Sequence, residues 1–133
     1  MFFDTARLLE LKGHHVAFFS MADIRNLSSP YQKYFVSNID YERAGAIDNI
    51  KAVSRLLYSY EAKCKIEELI NYEKPDIVHL HNFAHQLSPS VLHVFKKYNL
   101  PVVMTMHDYK LVCPTYNMIL NDKPCELCSR GKY

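Results

Sequence analysis

Glycine is scarce in this chain: Gly13, Gly45 and Gly131 are the three in 133 residues. No segment therefore offers the glycine-rich turn with which dinucleotide and P-loop sites bring backbone amides onto phosphate. Long apolar runs are missing as well. None approaches the roughly 18 residues that a membrane-spanning helix needs, and Met1-Phe2-Phe3 runs at once into Asp4 and Arg7 rather than into the apolar centre of a signal peptide. Charge of one sign is also lacking. Sixteen Lys and Arg against fourteen Asp and Glu leave +2 with no basic block, so composition makes no case for nucleic acid, and Lys96-Lys97 reads as the wet face of a helix. Four cysteines, with Cys64 alone and Cys113, Cys125 and Cys128 gathered late, suit a metal or free thiols better than a disulfide framework. What is present, 49% hydrophobic and 23% charged residues, fits one globular domain at most, expected to be cytoplasmic.

Local patterning alternates helix and strand. Phe2, Phe3, Ala6, Leu8 and Leu9 make an apolar face opposed by Asp4, Arg7, Glu10 and Lys12, and Gly13 stops that helix. His15 to Ser20 (HVAFFS) reads as a strand buried on both faces. Met21 to Ala46 is a variable connection, because Ser28-Ser29-Pro30 breaks helices and Tyr31, Tyr34, Phe35 and Tyr41 keep no period. From Ile47 to about Tyr72 a long helix carries the stripe Ile50, Val53, Leu57, Tyr60 and Cys64, read as core. Lys74-Pro75 ends it, Asp76 to Leu80 is a second buried strand, and Ser88-Pro89 caps a helix bearing Val91, Leu92 and Phe95. Asn99 to Pro101 stops that helix, and Pro101 to Met106 is a third strand. Strands separated by helices imply right-handed crossovers and a parallel α/β sheet.

In such sheets ligands bind outside the carboxyl ends of the strands. That rule selects His81 and Asn82 after one strand and His107 and Asp108 after the next. An imidazole there can donate to a ligand hydroxyl or phosphate, or move a proton near neutral pH. His79 is expected to face away from His81 as a hydrogen-bonded core residue, and His85 and His93 have no comparable placement. Ser88 and Ser90 lack a Gly-x-Ser-x-Gly elbow, and Cys113 lacks a cysteine-protease signature. Cys125-Glu-Leu-Cys128 with Cys113 upstream supplies three ligands of a structural zinc, the fourth being a histidine or a later residue. Free thiols are the plainer alternative, and a redox pair fits less well because no helix opens at this Pro-Cys loop.

Three ordered segments resemble the N-terminal half of the family-4 glycosyltransferases, enzymes of two Rossmann-like domains in the GT-B arrangement. They are Phe3-Asp-Thr-Ala-Arg-Leu-Leu-Glu-Leu-Lys-Gly-His14, Lys74-Pro-Asp-Ile-Val-His-Leu-His81 and Pro101-Val-Val-Met-Thr-Met-His-Asp108, followed by Tyr109-Lys-Leu-Val-Cys-Pro114 and the later cysteine pair. The likeness covers most of the chain except Met21 to Ala46. It implies transfer of a sugar from a nucleotide-sugar donor to a glycan or glycolipid acceptor held mainly by this half, with no metal needed for the transfer. It places His107 at the interdomain cleft, contacting the donor sugar and supporting catalysis, with Asp108 beside it and His81 at the cleft edge as substrate-binding neighbours, which Asn82 joins by its place at the strand end. Polysaccharide assembly at the inner face of the cell membrane is the family's common setting, which makes peripheral membrane contact an expectation that no basic amphipathic helix here supports.

The family's first strand with its glycine-rich turn, and its C-terminal nucleotide-binding domain, would lie outside these residues. The fold expected is thus an incomplete Rossmann-like parallel sheet with flanking helices over 1–133, including a cysteine-bearing loop at 109–133. A gap is expected between His15–Ser20 and Asp76–Leu80, and with it marginal stability and no turnover by this chain alone. Two other readings remain open: a non-catalytic α/β binding module, and a zinc-stabilised interaction domain built on Cys113, Cys125 and Cys128.

Overall fold

A computed structural model describes residues 2–38, 58–83, 87–109, 111–113 and 115–128. Within these the chain is mixed α/β. Helix α1 spans Phe2–Leu11 and a 3-10 turn Gln32–Tyr34; α2 spans Tyr60–Glu73, β1 Val78–His81, α3 Ser90–Lys97 and β2 Val102–Thr105. A short hairpin of β3 (Ile119–Leu120) and β4 (Lys123–Pro124) follows. β1 and β2 pair in parallel, with Val78 opposite Val102 and His81 opposite Thr105. They are joined through α3, the expected strand, helix, strand unit of a Rossmann-like sheet.

The helix ends lie where local chemistry puts them. Gly13 takes φ +86° after α1, a conformation that costs glycine little. Ser59 caps α2 by accepting from the Ala62 amide, and Lys74 closes it in the left-handed region at φ 49° with its amide donating to the Ile70 carbonyl. Ser88 stands two positions before Ser90, the first residue of α3, and its Oγ accepts from the Ser90 amide at 3.3 Å. Asn99, at φ 51°, follows the end of α3.

The core lies on one side of β1. Leu80 points into a cluster with Ala62, Ile66, Leu69 and Ile70 of α2 and Val91, Val94 and Phe95 of α3. Tyr31, Tyr34, Phe35 and Val36 belong to the same cluster, so part of the expected variable connection is core. Tyr31 Oη meets His15 Nε2 at 3.1 Å, and the same nitrogen lies 2.7 Å from Glu73 Oε2. Ser37 donates to Glu61 Oε1 from both its amide, at 2.8 Å, and its hydroxyl, at 2.6 Å. These contacts fasten the segment after α1 to both ends of α2.

Several expectations change. The α2 stripe is not Tyr60 and Cys64: Tyr60 is 71% exposed and Cys64 half-buried, while Ala62, Ile66, Leu69 and Ile70 are buried. The described helix begins at its own cap, Ser59, and the rest of the expected helix, with Ile50, Val53 and Leu57, lies outside the described residues. His15–Ser20 is half-buried for most of its length but forms no strand. Its end pairs with Val36 instead, through an isolated parallel bridge from Met21 and a bond from the Val36 amide to the Ser20 carbonyl at 3.0 Å. A strand needs a neighbour to bond, and among the described residues β1 bonds only β2, so the interval expected between His15–Ser20 and β1 stays unfilled there. β2 itself is not buried, with Val102, Val103 and Met104 all exposed.

Candidate functional site

β1 and β2 run side by side in the same direction, so their carboxyl ends form one edge and their following residues meet there. Side chains two apart on a strand share a face. His79 and His81 therefore project from the side of β1 opposite Leu80, and Thr105 and His107 prolong the matching row from β2. The result is a cluster of imidazoles. His81 Nδ1 lies 2.9 Å from His107 Nε2, the His79 and His81 ring centres are 4.2 Å apart, and His79 Nε2 meets Thr105 Oγ1 at 2.7 Å. From α1, Phe2 sets its ring against His81 at 5.0 Å, nearly perpendicular at 82°.

This corrects the expectation for His79. It shares the face of His81 rather than opposing it, and it is exposed rather than part of the core. The period of two along a strand puts residues 79 and 81 on one face, away from Leu80 and the core. Burial, then the neighbouring rings of His79 and His107, push the pKa of His81 below the ordinary imidazole value. Each of these disfavours a positive charge on the middle ring.

Asn82 follows His81 in the left-handed region at φ 43° and is exposed, while Asp108 is half-buried beside exposed His107. The edge is thus open and polar, bounded on one side by α1. His85 lies outside the described residues. His93 is elsewhere, its ring 6.1 Å from that of Tyr58. A cavity of about 320 Å³ opens at the opposite, amino end of the strands, lined by Ile70, Asn71, Lys74, Pro75, Tyr98 and Leu100. Its lining mixes apolar and polar side chains, with Lys74 and Tyr98 as its titratable groups.

The three late cysteines are placed differently from one another. Cys113 is buried, Cys125 half-buried and Cys128 exposed, all as free thiols. Cys113 Sγ meets Thr115 Oγ1 at 3.3 Å. That hydroxyl, assisted by main-chain amides of Met118, Thr115 and Tyr116, draws the Cys113 thiol below its ordinary pKa against the opposing effect of burial. The Cys125 amide donates to the Met118 carbonyl at 2.7 Å, which ties the far arm of the hairpin to the Cys113 turn. Among the described residues, no three His, Cys, Asp or Glu side chains are grouped to hold a metal ion. The zinc set expected from Cys113, Cys125 and Cys128 is therefore not assembled there.

The serines rejected as nucleophiles have a structural task. Ser90 Oγ donates to the Ser59 carbonyl at 2.8 Å and meets Ser88 Oγ at 2.7 Å, while the Ser59 amide donates to Ser88 Oγ at 2.8 Å. All three are buried, and together they lock the starts of α2 and α3. Short polar residues at two helix starts were the available signal. The hairpin has its own local signal in Asn121-Asp122, both at positive φ, the kind of pair a tight two-residue turn selects.

No helix among the described residues is long and apolar enough to cross a membrane. The sequence matches the model of Glycosyltransferase Family 4 over residues 1–121. Nothing matches it among curated proteins or among solved structures.

Proposed function

The chain belongs to glycosyltransferase family 4, and from that premise we propose that its imidazole edge is the acceptor-side wall of a sugar-transfer cleft. The reaction is transfer of a hexosyl group from a nucleotide-sugar to a hydroxyl of a glycan or glycolipid, in a cytoplasmic setting with peripheral membrane contact. The observation that carries this reading is the His81–His107 pair, at 2.9 Å, at the carboxyl ends of two parallel strands. His107 is the group proposed to act at the reacting hydroxyl, because its ring is exposed at the edge and holds a fixed neighbour. His81, Asn82 and Asp108 bind substrate beside it.

The wall lacks what a nucleotide diphosphate needs. No described loop supplies a glycine cradle. The 133-residue chain by itself is therefore expected to give no turnover. Transfer needs no metal in this scheme.

The test is His107→Ala in the full-length protein, assayed with UDP- and GDP-hexoses. Loss of a positioned proton-transfer group is worth on the order of 10²-fold or more in turnover. Turnover within a factor of about 2 of the parent would refute the role of His107, and turnover by the 133-residue chain alone would refute the single-wall reading.

A further inference from the structure

We propose that His81 is a positioning residue that fixes the tautomer of His107, so that His107 turns a bare Nδ1 outward as an acceptor for a ligand hydroxyl. This rests on the reading of His107 given above, and concerns which of its nitrogens does the work.

The two rings share one proton. His81 Nδ1 and His107 Nε2 stand 2.9 Å apart, so one must donate and the other accept. A neutral imidazole carries one N–H and one lone pair. If His81 donates from Nδ1, its own Nε2 is bare and His107 must hold its proton on Nδ1. If His107 donates from Nε2, its Nδ1 is bare and His81 holds its proton on Nε2. The two outward nitrogens are thus always of opposite kind, and the bond locks the two rings together.

The choice between these states follows from ordinary imidazole chemistry. A neutral histidine side chain favours the Nε2–H form. Donation from His107 Nε2 to His81 Nδ1 keeps both rings in that form, whereas the reverse forces both into the less favoured one. His81 suits the acceptor role because it is held neutral: burial, His79 and His107 itself all disfavour its cation. His79 is turned to a different partner, Thr105 Oγ1 at 2.7 Å, so His81 Nδ1 is left to His107. Phe2, ring against ring at 5.0 Å, limits rotation of His81.

The consequence is chemical selectivity. A bare Nδ1 accepts from a sugar or acceptor hydroxyl and can take up its proton, with the ring becoming an imidazolium that still donates from Nε2 to His81. It offers no hydrogen bond to a phosphate oxygen, which can only accept. His107 Nδ1 is therefore selective for hydrogen-bond donors such as hydroxyls, while the outward Nε2–H of His81 is the nitrogen of the pair left to an acceptor.

The experiment is a long-range ¹⁵N–¹H correlation spectrum of the histidine rings in ¹⁵N-labelled chain, recorded well above the imidazole titration range. In the parent, His107 is expected as one Nε2–H tautomer with its Nδ1 shifted far downfield as a bare nitrogen. His81→Phe keeps the ring volume and removes the acceptor, and should move the His107 shifts to the averaged values of two exchanging tautomers. His81→Asn sets an amide oxygen near the former Nδ1 and should restore the single tautomer. An Nδ1–H His107 in the parent overturns the proposal, and so does an unchanged His107 tautomer in His81→Phe. The parent spectrum decides even if His81→Phe fails to fold. The turnover test of His107→Ala is separate: its failure would remove the catalytic reading and leave the tautomer lock standing.

Discussion

The two faces of β1 are one residue apart in sequence and opposite in character. Leu80, 8% exposed, sits among Val91, Val94 and Phe95 of α3 and Ile66, Leu69 and Ile70 of α2. His79 and His81 occupy the other face, beside Val103, which is 50% exposed, and near α1, whose Phe3 and Leu8 are 56% and 59% exposed. The first face is packed and supplies stability. The second is open and carries the chemistry, and a strand's alternation is what allows one short segment to serve both.

The largest expected effect breaks the packed side. Phe95→Ala removes a ring that is 3% exposed and should cost about 3–5 kcal/mol, enough to unfold much of the population in a urea titration. Val103→Ala on the other face should stay within about 0.5 kcal/mol. Equal costs for the two would mean that the open face is covered in solution, and the contrast would fail.

A middle-sized effect sharpens the same contrast from the polar side. Ser90 is fully buried and its hydroxyl links the Ser59 carbonyl to Ser88 Oγ. Ser90→Ala leaves those groups short of a partner and should cost about 1–3 kcal/mol, read as a lower urea midpoint with unchanged slope. A neutral result would show that the packing of α2 on α3 holds their starts without the serine lock.

How far the sequence foretold this division depends on range. Helix and strand boundaries were legible at Gly13, at Lys74-Pro75 and at Asn99 to Pro101, because each is set by the backbone preferences of one or two residues. Burial was less so. The stripe through Tyr60 and Cys64 and the stripe through Ala62, Ile66 and Leu69 both have helical spacing, and only the arrival of α3 decides which one is covered. Tyr31, Tyr34 and Phe35 show no period because a 3-10 turn and extended chain bring them to the core. Of the site, the rule for strand ends put His81 and His107 at one edge but not their contact, and the family match accords with the ordered motifs. The place of His79 was legible and misread. The Ser59–Ser88–Ser90 lock joins residues about thirty apart, which no local pattern reveals.

The smallest effect separates the faces by pH. His81 holds its proton less firmly in the folded chain than at the ordinary value of 6.5. As pH falls through that value the unfolded ring takes up a proton first, so the unfolded state carries more protons and stability declines. The decline ends once pH passes below the lowered folded value, and above 6.5 this ring adds no slope. Urea midpoints measured downward from neutral pH should therefore drop for the parent and drop less for His81→Phe. The packed face, with Leu80 and its apolar neighbours, has no part in this dependence, so Phe95→Leu should lower the midpoint at every pH and leave the slope alone. If His81→Phe kept the full slope, the acid response would lie with other groups, and the neutral middle ring would no longer be what distinguishes the open face.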